Sequence, residues 1–148
     1  MMKVSTRSTY AIRALLSLAR SGATETVALA RIAETQKIPL PFLVQIFSRL
    51  RKAGLVEAVR GPQGGYRLSR SPADISLAQI ITSLEGPVKP VLCTMPENRH
   101  DNCHEVDGCV SRLLCCEIDG ALNQILSNKT LASLNGVAKA ATIPLRSV

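Results

Sequence analysis

Three cysteines, Cys93, Cys103 and Cys109, stand in one of the most polar and turn-rich stretches of the chain, beside His100, His104 and the acids Glu97, Asp101, Glu105 and Asp107. Cysteine behaves as a small hydrophobe and is usually buried. Its clustering here asks for chemistry: a disulfide, a metal site or a redox-active thiol. In residues 1–21 Arg13 interrupts the apolar run Ala11 to Leu16, so the segment does not read as a secretory signal. No stretch of about 18 apolar residues occurs that would span a membrane. The expected compartment is the cytoplasm, where clustered thiols bind metal or sense redox rather than form structural disulfides. An odd total of five cysteines agrees with that. The spacing C-x9-C-x5-C lacks the CxxC pairs of common structural zinc sites, which leaves zinc as the second choice of metal. Cys115 and Cys116 lie two helical turns beyond Cys109, about 10 Å away at 1.5 Å per residue, and are expected to be core or dimer-interface residues.

A loop that does such chemistry needs elements to hold it and to read its state. The 148 residues fit one ordinary domain, or a small domain with an added oligomerisation element. Hydrophobic residues make up 46% but aromatics only 3%, which favours aliphatic helix-on-helix packing. The charge is divided unequally. Residues 1–70 carry 12 Lys and Arg against three acids, and residues 71–148 carry six against eight, so the halves stand at +9 and −2. A basic N-terminal half is the electrostatic footprint of a polyanion binder.

Ser8 to Arg20 predicts an amphipathic helix with Ala11, Leu15, Leu18 and Ala19 on one face and Gly22 as its stop. Val27 to Thr35 predicts a second, through Leu29, Ile32 and Ala33. A third begins near Pro41, where proline at the first helical position is favoured, and runs to Gly54. Two short helices joined by a tight turn make a helix-turn-helix. Leu55 to Val59 and Tyr66 to Leu68 then read as two strands around the tip Arg60 to Gly65, a small β-hairpin or wing. Ser76 and Gln79 form a capping box for a helix ending at Gly86. After the cysteine loop, Val110, Leu113, Leu114, Ile118, Ala121, Leu122, Ile125 and Leu126 mark a long helix with a wide apolar stripe, and Thr130 to Asn135 one further turn. The expected fold is thus mainly α with a small β-hairpin. It comprises a winged helix-turn-helix domain over 1–86, a cofactor loop over 87–109, a dimerisation helix region over 110–135 and a disordered tail over 136–148. No glycine-rich phosphate loop and no Ser/His/Asp pattern suggests an enzyme.

The runs Tyr10 to Leu15, Ile38-Pro39, Phe42 to Val56 and Arg60 to Tyr66 resemble the bacterial winged-helix regulator family that includes IscR and NsrR, and the resemblance extends over about residues 2–135. It implies a homodimeric transcription factor, a repressor, whose long C-terminal helix crosses its partner. It also implies an iron-sulfur cluster in the preceding loop, 2Fe-2S ahead of 4Fe-4S, through which redox, nitric oxide or iron-sulfur status is sensed. The partners are then a second copy and double-stranded DNA with a palindromic operator, its half-sites about one helical turn apart.

On the DNA, Gln45 has the amide chemistry to read adenine, and Arg49 or Arg51 to reach phosphate or guanine. The resemblance carries the minor-groove arginine of the wing onto Arg60. Leu40 and Pro41 at the helix start and Gly61, Pro62, Gln63 and Arg67 in the wing complete the expected DNA-binding set. Cys93, Cys103 and Cys109 are the cluster ligands the resemblance implies, although the first gap is longer than in IscR-like members. The histidine that completes the set in those members is replaced by Arg112, which offers only donors. The position of the NsrR-like ligating acid is Thr9. His104 or His100 is then the candidate fourth ligand, with Glu105, Asp107 or a group from the other subunit also open. The alternative to a cluster is a winged-helix regulator controlled by thiol oxidation, zinc or a protein partner.

Overall fold

The computed structural model describes residues 5–22, 25–88 and 109–140, with the side chains of 137–140 left aside. Helix α1 (Thr6–Ser21) starts at Ser5, whose hydroxyl accepts the Ser8 N–H at 3.2 Å, and ends at Gly22 with φ of 111°. Its apolar stripe places Ala11, Ala14, Leu15 and Leu18 in the core. Helices α2 (Leu29–Gln36) and α3 (Leu40–Lys52) complete a three-helix cluster around Ile32, Leu43, Ile46, Phe47 and Leu50. The turn between α2 and α3 is closed by Lys37 in the left-handed region (φ 53°), while the Ile38 N–H reaches back to the Ala33 carbonyl at 2.9 Å. That bonding terminates α2 and turns the chain for α3, where Pro41 occupies the second helical position.

Strands β1 (Val56–Val59) and β2 (Gly65–Leu68) pair antiparallel, with Val56 opposite Leu68 and Val59 opposite Gly65. Val27 does not open α2 as its apolar character suggested. It lies extended beside β2 and exchanges both backbone hydrogen bonds with Tyr66 at 2.9 Å, making a third, one-residue rung of the wing sheet. The physical reason is that Val27 satisfies its backbone and buries its β-branched side chain at once in this position, leaving Ala28 to start the helix.

A 3-10 turn over Pro72–Asp74 leads to α4 (Leu77–Glu85), and the expected capping box is formed: Gln79 N–H to Ser76 Oγ at 3.3 Å and Ser76 N–H to Gln79 Oε1 at 3.0 Å. Helix α5 (Val110–Asn128) then runs for 19 residues with no residue buried. Helix α6 (Leu131–Ala140) is longer than the single turn expected, and residues 136–140 are helical rather than tail. Its length follows from tertiary contact. Leu131 is fully buried in the N-terminal core, its N–H donates to the Ile75 carbonyl at 3.0 Å, and Leu77 N–H donates to the Lys129 carbonyl at 2.8 Å. Arg20 on α1 adds a bond from Nε to Asn135 Oδ1 at 3.0 Å. The core therefore draws on both ends of the chain, and α5 is an arm whose C-terminal end is stapled to the foot of α4.

Candidate nucleic-acid interface

The surface of α3 is decided by its period. At about 100° per residue, Leu43, Ile46, Phe47 and Leu50 face the core, and Pro41, Val44, Gln45 and Lys52 face outward, all of them exposed. Sequence reading anticipated Leu40, Pro41, Gln45 and Arg51 on this face. The resemblance also marks Val44 as a position that is often acidic in the family and tunes sequence preference, whereas Ser48 and Lys52, which the same i, i+3, i+4 pattern places there, were overlooked. Arg49 and Arg51 part company. The Arg49 guanidinium turns to the flank, where Nη1 donates to the Leu84 carbonyl at 2.9 Å and ties α3 to the end of α4. Arg51 and Lys52 stay exposed at the C-terminal end of α3.

The wing stands beside this helix because two rings lock it there. Tyr66 on β2 meets Phe47 on α3 edge to face, with 5.0 Å between centroids. The tip residues Arg60, Gly61, Pro62 and Gln63 are all exposed. Gly61 takes φ of 126°, which a side chain would strain, and its carbonyl accepts the Gly64 N–H at 2.9 Å. The Thr26 hydroxyl donates to the Gln63 carbonyl at 2.7 Å and holds the tip to the start of α2. Arg67, expected on the DNA side, is paired with Glu57 across the hairpin, Nη2 to Oε2 at 3.0 Å and Nε to Oε2 at 3.2 Å. Opposite charges face each other in that register.

At the C-terminal end of α4, the Glu85 carboxylate closes this helix onto the start of α1. It accepts the Ser5 hydroxyl at 2.5 Å and that of the buried Ser8. Partial burial alone would raise its pKa. Hydrogen bonds from Ser5 and Ser8 with the charge of Arg7 outweigh that and hold Glu85 below the ordinary value of 4.5. An anion at the N-terminal end of α1 is also favoured by the helix dipole.

Of the expected metal ligands, Cys93, Cys103, His100 and His104 lie outside the described residues. Cys109 is the residue just before α5: its carbonyl accepts Arg112 N–H at 3.0 Å and Leu113 N–H at 3.2 Å, and its side chain makes no capping bond. The thiol is partly exposed, as is Cys115, while Cys116 is exposed. Neither of the latter pair enters the core. Among the described residues, no three His, Cys, Asp or Glu side chains gather as a metal site, and no helix is long and apolar enough to cross a membrane.

A tight-turned helix pair, an outward basic helix and a docked wing make up the DNA-binding form of the winged helix, and the family model Rrf2, described as an iron-dependent transcriptional regulator, matches residues 4–136. The chain belongs to the Rrf2 family. It is a transcriptional regulator, a non-enzymatic class. The regulator IscR of Cereibacter sphaeroides is 48% identical over 89 residues, which cover 59% of this chain and 57% of that protein. The solved structure of T. potens IscR matches with a TM-score of 0.76 and 35% identity over 97% of this chain and 93% of that one. CymR, the global cysteine regulator of B. subtilis, matches with a TM-score of 0.77 and 33% identity over 92% and 98%. These likenesses carry the mainly helical Rrf2 fold with its two-stranded hairpin, and the DNA-binding class of the protein.

Proposed function

We propose that this Rrf2-family regulator acts as a homodimeric repressor on palindromic DNA and senses redox, nitric oxide or iron-sulfur status through a cluster held by Cys93, Cys103 and Cys109. One observation carries the reading. Cys109 immediately precedes the first turn of α5, whose outward face, Val110, Leu113, Leu114, Ile118 and Ile125, is between 47% and 77% exposed. An apolar stripe of that length on an otherwise polar helix suits a second copy of itself, since two-fold association buries the same face on both chains. The thiol at its root is positioned to report to that interface.

Of the proposed donors, the described Cys109 supports an iron-sulfur group: it is partly exposed and uncommitted as a helix cap, and thiolates are the preferred ligands. His104 or His100 is the proposed fourth ligand, and a 2Fe-2S form is preferred. When bound, such a group supplies metal-sulfur bonds that respond to oxidants and nitric oxide. The residues of the chain convert that response into geometry. Cys109 holds the start of α5, and the Lys129 to Leu77 and Leu131 to Ile75 bonds carry its other end to α4. Arg49 passes from the end of α4 to α3. Through these, the spacing of two recognition helices in a dimer follows the state of the loop.

Anaerobic purification with iron and sulfide analysis tests the reading. Coloured protein with near-stoichiometric iron and sulfide, bleached by Cys93→Ala, Cys103→Ala or Cys109→Ala, is the expected result. Colourless, iron-free wild-type protein overturns it in favour of a cluster-free regulator, for which the accessible thiols of Cys109 and Cys116 offer oxidation chemistry and bound zinc a third outcome.

A further inference from the structure

Two large apolar side chains stand exposed on α3, on an outward face that apart from Pro41 is otherwise polar or basic: Leu40 at 41% and Val44 at 48% exposure. They are one turn apart and within about 40° of each other around the helix, so they form one continuous ridge. The ridge begins at the first residue of α3, the end that enters the groove when a recognition helix docks. It is flanked by Gln45 on the outward side and by Arg51 further along the helix, both exposed. Neither apolar residue belongs to the hydrophobic cluster that packs the domain, which takes Leu43, Ile46, Phe47 and Leu50 from the other face of α3 and Tyr66 from the wing. The ridge therefore lies outside the packed core of the single chain.

Its surroundings define its partner. The N-terminal half carries a net +9, and the arginines and lysine on and beside this helix make the neighbourhood attractive to phosphate rather than to an apolar protein surface. In a duplex, the apolar feature presented in the major groove is the 5-methyl group of thymine, and aliphatic side chains are its usual contacts. We infer that Leu40 and Val44 form a thymine-methyl reader, which selects A·T pairs next to the base that Gln45 would read. The inference rests on the reading of α3 as the recognition helix and adds the base it distinguishes.

The test begins with anaerobically purified full-length protein and a pool of random-sequence 30-base-pair duplexes. After rounds of enrichment, the selected sequence is remade with deoxyuridine in place of each thymine in turn, a change that removes only the methyl group. Affinities are measured by fluorescence anisotropy for wild type, Leu40→Ala and Val44→Ala. At one or two thymines per half-site, uridine is expected to weaken wild-type binding about threefold to fourfold, the factor given by burying one methyl group. The same exchange should have no effect in the variant that lacks its contact. Both residues are exposed, so circular dichroism should show each variant folded. Uniform indifference of the wild-type protein to uridine overturns the inference while leaving DNA binding intact. So does a uridine penalty equally large in both variants. Failure to enrich any duplex overturns the recognition-helix reading itself, and the inference with it.

Discussion

Val27 and Tyr66 exchange two backbone hydrogen bonds of 2.9 Å, which fastens the lead-in of α2 to the wing while the Tyr66 ring rests on Phe47 of α3. Helix α3 and the start of α2 are thus both held to the wing, and the residue that permits it is Gly65. A Cβ there would lie 2.5 Å from the Val27 carbonyl carbon and oxygen, which are backbone atoms unable to step aside. Gly65→Ala is expected to lower stability by about 1–3 kcal/mol through overpacking and to detach the wing. Thermal unfolding and amide exchange at Tyr66 check it; protection equal to wild type at that amide counts against the docking described.

Arg60 and Arg49 should fail in different ways. Arg60 is exposed at the wing tip, so Arg60→Ala should leave stability unchanged, weaken operator binding and reduce the slope of log affinity against log salt by about one. Arg49 braces Leu84, so Arg49→Ala should destabilise the domain by about 1 kcal/mol, the scale of one partly exposed hydrogen bond. Denaturation and binding on the same preparations separate the two. Unchanged affinity of Arg60→Ala at moderate salt would remove the wing from the interface.

The two ends of the C-terminal region give a contrasting pair. Ile118→Glu places a charge on the outward stripe and should convert the proposed dimer to monomer with the domain still folded, because Ile118 is 47% exposed in the single chain. Leu131→Ala instead empties a fully buried site and should cost about 2–5 kcal/mol. Sedimentation velocity and chemical denaturation report the two effects, and a dimer that survives Ile118→Glu at micromolar concentration rejects the stripe as the interface.

The Glu85 clamp supplies a pH signature. Its pKa is lowered in the folded protein, so its contribution is fully present above the ordinary value of 4.5 and is lost as the pH falls through the folded value. Glu85→Gln should therefore melt below wild type at pH 7, and the gap should narrow as the pH drops under 4.5. A difference in Tm that is the same at pH 7 and pH 3 would show that the carboxylate charge is not what holds α4 to α1.

The amino-acid sequence by itself determined what depends on neighbours along the chain. The stripes of α1 and α3, the Ser76 and Gln79 capping box, the tight turn after α2 and the glycine tip of the wing all follow from residues within about one or two helical turns of each other. The family was legible for the same reason, since its motifs lie in those local runs. Most of the exposed face of α3 could be read from its period, including the Lys52 position that was passed over. Only the tertiary structure decided the pairings between distant residues. Val27 became a sheet rung because Tyr66, 39 residues away, offered it both hydrogen bonds. Leu131 joined the core through Ile75, 56 residues away, and carried α6 with it. Arg49 and Arg67 were drawn to Leu84 and Glu57, partners that short-range spacing does not reveal. Periodicity says which side of an element is apolar; it takes the folded chain to say which of those sides finds a partner within the molecule, and that the stripe on α5 does not become buried there.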